Sequence, residues 1–245
     1  MDFIHESNVI THQGILLGKV IANHDDDHKG MIKVEYHAHE DGSESNWMRV
    51  ISPYAGKERG FYFHPEIGDE VAVAFIGGDL NNPCCIGSFW NNEDSLPKDV
   101  ANEKNTAKTI VTKSKIQISF SDESGKESIK IITPKKHEIS IDDEKDLITI
   151  KVSDNEIKID GSGKKISLSS NDIEIKAKGK ISLSAANIEV KADSKLTFSA
   201  ATAETDAKSK LGLSGLNVEI KAKAALKAEA SGITTVKGAM VKING

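Results

Sequence analysis

The feature that most constrains this chain of 245 residues is a fifteen-residue repeat in its second half. Residues 180–200, KISLSAANIEVKADSKLTFSA, show the pattern: apolar and polar residues alternate, a small residue follows, and the alternation starts again. A period of two places the apolar side chains on one face of an extended strand, whereas a helix would scatter them around its axis. The repeat therefore predicts short β-strands stacked in register.

Two interleaved sets of apolar pairs make up the repeat. Pairs such as Ile181/Leu183 alternate with pairs such as Ile188/Val190, so successive strands are offset by seven and then eight residues, and by nine upstream of Ile166. The large apolar residues predicted to share the inward face are Ile157, Ile159, Ile166, Leu168, Ile173, Ile175, Ile181, Leu183, Ile188, Val190, Leu196, Phe198, Leu211, Leu213, Val218, Ile220, Leu226, Ile233, Val241 and Ile243. A two-strand unit of fifteen residues does not enclose a core alone, so an oligomer is expected.

Small residues end most of these strands. The next residue on the apolar face allows a tight corner, and the positions concerned are Ala177, Ala185, Ala192, Ala200, Ala207, Gly215, Ala222 and Ala230. Lysine, serine and glutamate occupy the outward positions between the apolar residues. The sequence thus predicts strands of about five residues separated by corners.

The first half of the chain has a different composition. All tryptophan, tyrosine and cysteine lies before residue 91, and all proline and histidine before residue 138. Short alternating segments such as 31–36 and 71–76, separated by turn signals, predict a small all-β barrel. We therefore divide the chain into residues 1–97 (a barrel with a short N-terminal segment), 98–137 (linker and neck strands) and 138–245 (the repeats).

Composition excludes several classes of protein. The net charge is −5 with only two arginines, which argues against a nucleic-acid binder. The longest apolar run, residues 71–76, is too short to span a membrane, and the N-terminus lacks a signal-peptide pattern. The adjacent Cys84 and Cys85 are poorly placed to bond to each other, so free thiols in a reducing cytoplasm are expected.

Residues 18–94 contain several motifs in a specific order. The motifs are GMIKV at 30–34, WMRV at 47–50, GFYF at 60–63, PEIGDEV at 65–71, GD at 78–79, NP at 82–83 and IGS at 86–88. In these motifs the segment resembles the OB-fold domain of VgrG proteins and phage baseplate spike proteins. Residues 112–150 resemble the neck that joins this domain to the needle.

The resemblance implies an all-β homotrimer in which an N-terminal OB-fold barrel precedes a C-terminal triple-stranded, intertwined β-helix needle. The apolar residues named above would then form the trimer core. The implied role is the membrane-piercing central spike of a contractile injection apparatus, such as a phage tail, an R-type bacteriocin, a type VI secretion system or an extracellular injection particle. Such a spike is a structural protein without enzymatic activity, assembled in the bacterial cytoplasm as part of a tail-like particle.

The same resemblance suggests partners. Only about 17 residues precede the OB-like segment, so a separate baseplate hub protein is expected on that side. The needle has no histidine with which to hold a tip metal, so a separate PAAR-like tip protein is expected at the other end. The target cell envelope would be a transient partner, and nucleic acid is not expected.

Candidate ligand sites are few. His37 and His39 form a His-x-His pair that can bind a metal, but a solvated strand face is the preferred interpretation. Residues 25–27, three aspartates, lack the glycine and terminal glutamate of a calcium loop and predict a polar loop. Residues 77–79 lack the Gly-Lys-Ser/Thr of a phosphate loop and predict a β-turn. We expect no metal and no cofactor.

Two alternative functions remain open. The first is a trimeric tail fibre or receptor-binding protein, although the chain ends on the repeat without an aromatic-rich tip. The second is a delivered cell-wall hydrolase, for which Ser52 or Ser88 would need a positioned histidine and acid; no nucleophile-elbow pattern occurs.

Overall fold

The structure is a computed structural model that describes residues 14–37 and 43–243. It divides into two units, Met1–Lys176 and Ala177–Gly245. Within the described residues, no helix has the length and apolar character needed to cross a membrane.

The first unit begins with a closed five-stranded barrel. Its strands are β1 (Ile15–Ala22), β2 (Met31–Tyr36), β3 (Met48–Val50), β6 (Glu70–Phe75) and β7 (Pro83–Ser88), in the order β1-β2-β3-β7-β6. All neighbours are antiparallel except β3 and β7, which are parallel. A short hairpin, β4 (Ala55–Gly56) and β5 (Arg59–Gly60), lies between β3 and β6. The predicted all-β fold with an OB-type barrel is confirmed.

The core of the barrel is small and almost wholly aliphatic. Seven side chains expose at most 1% of their surface: Val20, Ile32, Val34, Met48, Val71, Val73 and Cys85. On each strand they alternate with residues that are more exposed, as the period of two requires. Each burial contributes roughly 1.5–3 kcal/mol before the cost of ordering the chain is subtracted.

The predicted turn at residues 77–79 is a short 3-10 turn, Ile76–Gly78, between β6 and β7. Gly77 has φ 66°, a left-handed conformation that glycine adopts without strain. The N–H of Asp79 donates to the carbonyl of Ile76 at 3.3 Å, which closes the turn. The segment connects two strands and carries no feature of a phosphate loop.

A second sheet follows the barrel in the same unit. It has seven strands: β8 (Ala107–Val111), β9 (Gln117–Ser121), β10 (Ser128–Ile132), β11 (Glu138–Asp142), β12 (Leu147–Val152), β13 (Asn155–Asp160) and β14 (Lys165–Ser169). They form an antiparallel meander in chain order, which we call the neck sheet. This sheet continues across residue 137, so the predicted neck strands and the first nine-residue repeats share one sheet. The domain boundaries at 97 and 137 stay predictions.

The barrel and the neck sheet are joined by an ion pair. Lys113, in the turn between β8 and β9, places Nζ 2.7 Å from Oε2 of Glu66 in the loop before β6. The hydrogen bond and the charge of Glu66 raise the pKa of Lys113. Both side chains are well exposed, so the pair orients the neck turn more than it stabilises the fold.

Residues 170–243 form no strand, but their bends are regular. Bends occur at residues 171, 186, 201, 216 and 231, and a second set lies at 178, 193, 208 and 223, each set spaced by fifteen. Every small residue predicted at a corner is followed directly by one of these bends. The predicted corners are therefore confirmed, whereas the β-helix stays a prediction.

Candidate functional site

The neck sheet carries two rows of large apolar side chains on one face. The strand register places Ile110, Ile118, Ile131, Ile139, Ile150, Ile157 and Leu168 in one row, and Phe120, Ile129, Ile141, Ile148, Ile159 and Ile166 in the other. Because facing residues of an antiparallel pair project to the same side, all thirteen lie on one surface. We call this surface the apolar face.

The apolar face is not covered by the residues that the structure describes. Ile148 and Ile150 on the interior strand β12 expose 39% and 40% of their surface, and Ile166 on the last strand exposes 71%. Thr149 lies between Ile148 and Ile150 in the strand, so its side chain is on the opposite side of the sheet, and it exposes only 8% of its surface. The polar side is thus better covered by its own side chains than the apolar side, which is the reverse of a sheet that carries its own core.

The opposite face has a polar central row. Its central row consists of Thr109, Ser119, Lys130, Ser140, Thr149, Lys158 and Ser167. Long side chains there pair with neighbouring carboxylates: Lys130 lies 2.9 Å from Glu138 and Lys158 lies 3.4 Å from Glu156. This face is suited to contact with solvent, so the apolar face is the one that we expect a partner to cover.

The two edges of the neck sheet differ. On β8 the second apolar row is occupied by Lys108, whose Nζ lies 3.8 Å from a carboxylate oxygen of Asp122. A charged residue on the apolar side of an edge strand discourages further pairing. On β14 the corresponding position is Ile166, and that edge carries no such charge. The sheet is therefore open to extension on the β14 side.

The structure places four of the predicted core residues opposite one another on paired strands. Ile157 faces Leu168 and Ile159 faces Ile166 across β13 and β14. The remaining sixteen, from Ile173 to Ile243, lie in the unpaired repeats and expose 49–90% of their surface. Their assignment to a trimer core stays a prediction.

The outward side of the repeats already forms regular ion pairs. Glu174 and Lys176 lie 2.6 Å apart, and the equivalent pairs fifteen and forty-five residues later, Glu189–Lys191 and Glu219–Lys221, lie 3.0 and 2.7 Å apart. Contacts between residues two apart are a property of extended backbone, in which alternate side chains share a side. The intervening apolar residues therefore point to the other side, as the sequence predicts.

Sequence reasoning missed two features. The apolar rows begin as early as Ile110, well upstream of the predicted core residues. The alternation of Ile129-Lys-Ile131 is a sequence signal that could have shown this upstream extension. The loop after β5 also exposes three consecutive aromatic residues, 61–63, beside a shallow cavity of about 470 Å³ lined in part by Tyr54 and Arg59. The motif GFYF at residues 60–63 contributed to the family resemblance, but the exposure of its aromatic side chains depends on the loop geometry.

The candidate metal ligands do not form a site in the described residues. Nδ1 of His37 lies 3.4 Å from Oε1 of Glu70, whose other oxygen accepts a hydrogen bond from Asn91 at 3.1 Å. His39 lies outside the described residues. Within the described part of the chain, no three histidine, cysteine or acidic side chains are grouped as metal ligands.

The first aspartate of residues 25–27 closes its own loop. Oδ1 of Asp25 accepts hydrogen bonds from the backbone N–H groups of Asp27 and His28, both at 3.0 Å, and lies 2.7 Å from Nδ1 of His28. The hydrogen bond from the His28 ring is the main cause that lowers the pKa of Asp25. The predicted polar loop is what the structure contains.

Ser52 has a structural role. Its hydroxyl lies within hydrogen-bonding distance of two backbone carbonyls, 2.7 Å from that of Phe61 and 3.1 Å from that of Tyr54. These contacts hold the hairpin of β4 and β5 against the end of β3. Of the two serines considered for hydrolysis, this one is thus engaged in loop packing.

Comparison with known proteins agrees with the barrel geometry. The family model of the type VI secretion system/phage-baseplate injector OB domain matches residues 16–90, which span nearly all of β1 to β7. Residues 16–90 are therefore similar to the OB domain of type VI secretion and phage-baseplate injector proteins. The predicted resemblance to VgrG and phage-baseplate spike proteins is therefore confirmed.

Individual VgrG proteins match about half of the chain. The type VI secretion system spike protein VgrG1c of Pseudomonas aeruginosa is 30% identical over 129 residues, which is 48% of this chain and 18% of that protein. The actin cross-linking toxin VgrG1 of Vibrio cholerae is 31% identical over 113 residues, 42% of this chain and 10% of that protein. The chain thus covers less than a fifth of the length of either VgrG relative.

Proposed function

We propose that this chain forms the central spike of a contractile injection apparatus as a homotrimer, with the barrel at one end and an intertwined needle of repeats at the other. The observation that carries the proposal is the apolar face of the neck sheet, which continues into repeats of the same alternating pattern. Its relatives are called spike proteins of type VI secretion systems. Three chains, as the VgrG resemblance implies, would cover one another's apolar faces.

The size of the apolar face supports a stable assembly. Thirteen large side chains, each exposed by roughly two-fifths or more at most positions, present on the order of 1,000 Å² per chain, which reaches the area of a specific protein interface. An isolated sheet with this surface would be prone to aggregate. Burial between copies removes the hazard and contributes a free energy that grows with each repeat.

The repeats suit a mechanical part. Backbone groups left unpaired in one chain would be paired by the other two, so local opening would break hydrogen bonds to two neighbours at once. Closure around an axis leaves few free strand edges. The expected result is a stiff, slender needle in which each repeat performs the same structural task.

The remaining partners follow from this role. A baseplate hub protein and a PAAR-like tip protein are the proposed neighbours in the particle, and the target cell envelope is contacted during injection. We propose synthesis in the bacterial cytoplasm and no enzymatic activity of the chain itself. A peptidoglycan zymogram tests the last point, since clearing by the purified protein would favour the delivered hydrolase.

The native mass tests the assembly. Light scattering of the full-length protein should give three times the chain mass of 26.5 kDa. A variant that ends after Ser169 keeps the whole neck sheet and loses the repeats, so it should dissociate at a higher concentration than the full-length trimer. A full-length monomer would contradict the proposal, because the apolar face would then have no cover.

A further inference from the structure

An apolar groove lies where the neck sheet ends and the repeats begin. Its volume is about 450 Å³, and its apolar lining includes Ile150, Ile157 and Leu168 of the sheet together with Ile173 and Ile175 of the segment that follows. The groove is continuous with the apolar face, since Ile150, Ile157 and Leu168 form the end of its first row. The groove is therefore where the apolar face of the neck sheet meets the apolar side chains of Ile173 and Ile175.

The segment that closes the groove has strand geometry without a strand partner. Ile173 and Ile175 line the groove together with Glu174 between them, and the side chains of Glu174 and Lys176 pair at 2.6 Å, as side chains two residues apart do in extended backbone. Residues 171–176 nevertheless pair with no strand in the described part of the chain. The hydroxyl of Ser170 donates to Oδ1 of Asn155 at 2.6 Å, which ties the exit of β14 to the start of β13.

We infer that residues 171–176 are where pairing passes from within one chain to between chains, and that Ile173 and Ile175 of the other two copies fill the groove. The inference rests on the proposed trimer. A threefold axis along the needle keeps equivalent residues of the three chains at equal height. The side chains that face Ile173 and Ile175 across the axis are therefore the same two residues of the other copies.

The chemistry of the groove fits this occupant. Its apolar lining is matched by two β-branched isoleucines from each copy, and the Glu174–Lys176 pair keeps most of its side-chain surface exposed to solvent. The unblunted edge of β14 is adjacent, so strand pairing can continue there. At the opposite edge Lys108 interrupts the apolar row, so we do not expect strand pairing to continue on that side of the sheet.

Photo-crosslinking tests which residues meet in the groove. A diazirine-bearing aliphatic amino acid is placed at position 175 of the full-length protein, and in a matched control at position 176. Irradiation should join two chains through position 175, with the cross-link mapped by mass spectrometry to residues 171–176 of another copy, in at least tenfold higher yield than through position 176. A trimer in which position 175 cross-links only within its own chain, or no better than position 176, would overturn the inference.

Hydrogen exchange of the unmodified full-length protein provides a second measurement. Amides of residues 171–176 should exchange at least 100-fold more slowly than in an unstructured peptide, because other copies complete their hydrogen bonds. If light scattering shows a trimer but this segment exchanges freely, residues 171–176 do not pair between chains and the inference is refuted. The spike proposal would still stand. A monomer by light scattering would instead refute both.

Discussion

Ile157 lies directly opposite Ile150 across β12 and β13, yet the two side chains still expose 43% and 40% of their surface. A cross-strand pair of this kind is half of a packed contact, because none of the described residues covers its other side.

Replacing Ile157 with asparagine should weaken the trimer. The variant I157N would bury a polar amide between copies at three equivalent positions, at a cost of about 1–3 kcal/mol each. The matched control is K158N, which places the same side chain on the polar face and removes only the exposed pair with Glu156. Native mass against concentration should show earlier dissociation for I157N alone, and equal behaviour of the two variants would refute the assignment of the apolar face.

The inward side of the repeats can be tested in the same way at Ile188. The variant I188D would place three carboxylates near the needle axis, where like charges and loss of solvent both disfavour the ionised form. E189K reverses the charge at a neighbouring outward position that is paired with Lys191, and it should be tolerated. The readout is the temperature of thermal unfolding, which should fall markedly for I188D. Similar unfolding temperatures for the two would mean that residue 188 does not face the core.

The barrel should respond to loss of core volume independently of the repeats. Ile32 is fully buried among Val34, Met48 and their neighbours, so I32A should lower the free energy of unfolding by about 2–5 kcal/mol. The control I67A truncates an isoleucine that is 63% exposed and should cost little. Both tryptophans lie within residues 1–97, so their fluorescence in a urea titration reports the barrel transition. A loss in I32A no greater than in I67A would contradict the barrel core.

The two cysteines should differ in reactivity. Burial raises the pKa of the Cys85 thiol above its ordinary value of 9.0, whereas Cys84 is only half-buried. Iodoacetamide should alkylate Cys84 at least tenfold faster than Cys85 in the folded protein, with the variant C84A isolating the second site. Denaturant should remove the protection, and rapid labelling of Cys85 without denaturant would argue against its place in the core.

The same pKa shift predicts a loss of stability in alkali. The unfolded thiol of Cys85 releases its proton near the ordinary value, while the folded thiol retains it to higher pH. The folded state then binds more protons, so the free energy of unfolding falls as pH rises from the unfolded pKa to the folded one. The contribution is fully present below the unfolded pKa. Comparison with the variant C85A by urea titration separates this effect from the general effect of alkaline pH.

Much of the architecture could be predicted from local sequence. The corners at residues such as Ala185 and Ala200, and the alternation in Ile188-Glu-Val190, follow from a period of two interrupted by small residues. The neck sheet was harder, since the alternation says which side chains share a face but not which strands are neighbours. That Ile131 faces both Ile118 and Ile139 depends on turns and register.

The barrel shows the same division. Its strands could be located from turn signals and motifs, but the parallel pairing of β3 with β7, which sets Arg49 opposite Cys84, joins residues distant in sequence and follows from closure of the sheet. The exposure of the aromatic residues 61–63 likewise depends on how the loop after β5 lies on the barrel.

The alternating faces and the fifteen-residue register could be predicted from sequence alone, because both are set by the spacing of neighbouring residues, and the resemblance to VgrG proteins followed from the order of the motifs in residues 18–94. The tertiary structure was needed to show that the neck sheet runs unbroken from Ala107 to Ser169, that its polar side is better covered than its apolar side, and that strand pairing among the described residues stops at Ser169. These properties depend on which strands pair and on what covers each face. Such contacts form between residues far apart, and their free energy is set by burial that a local pattern does not specify.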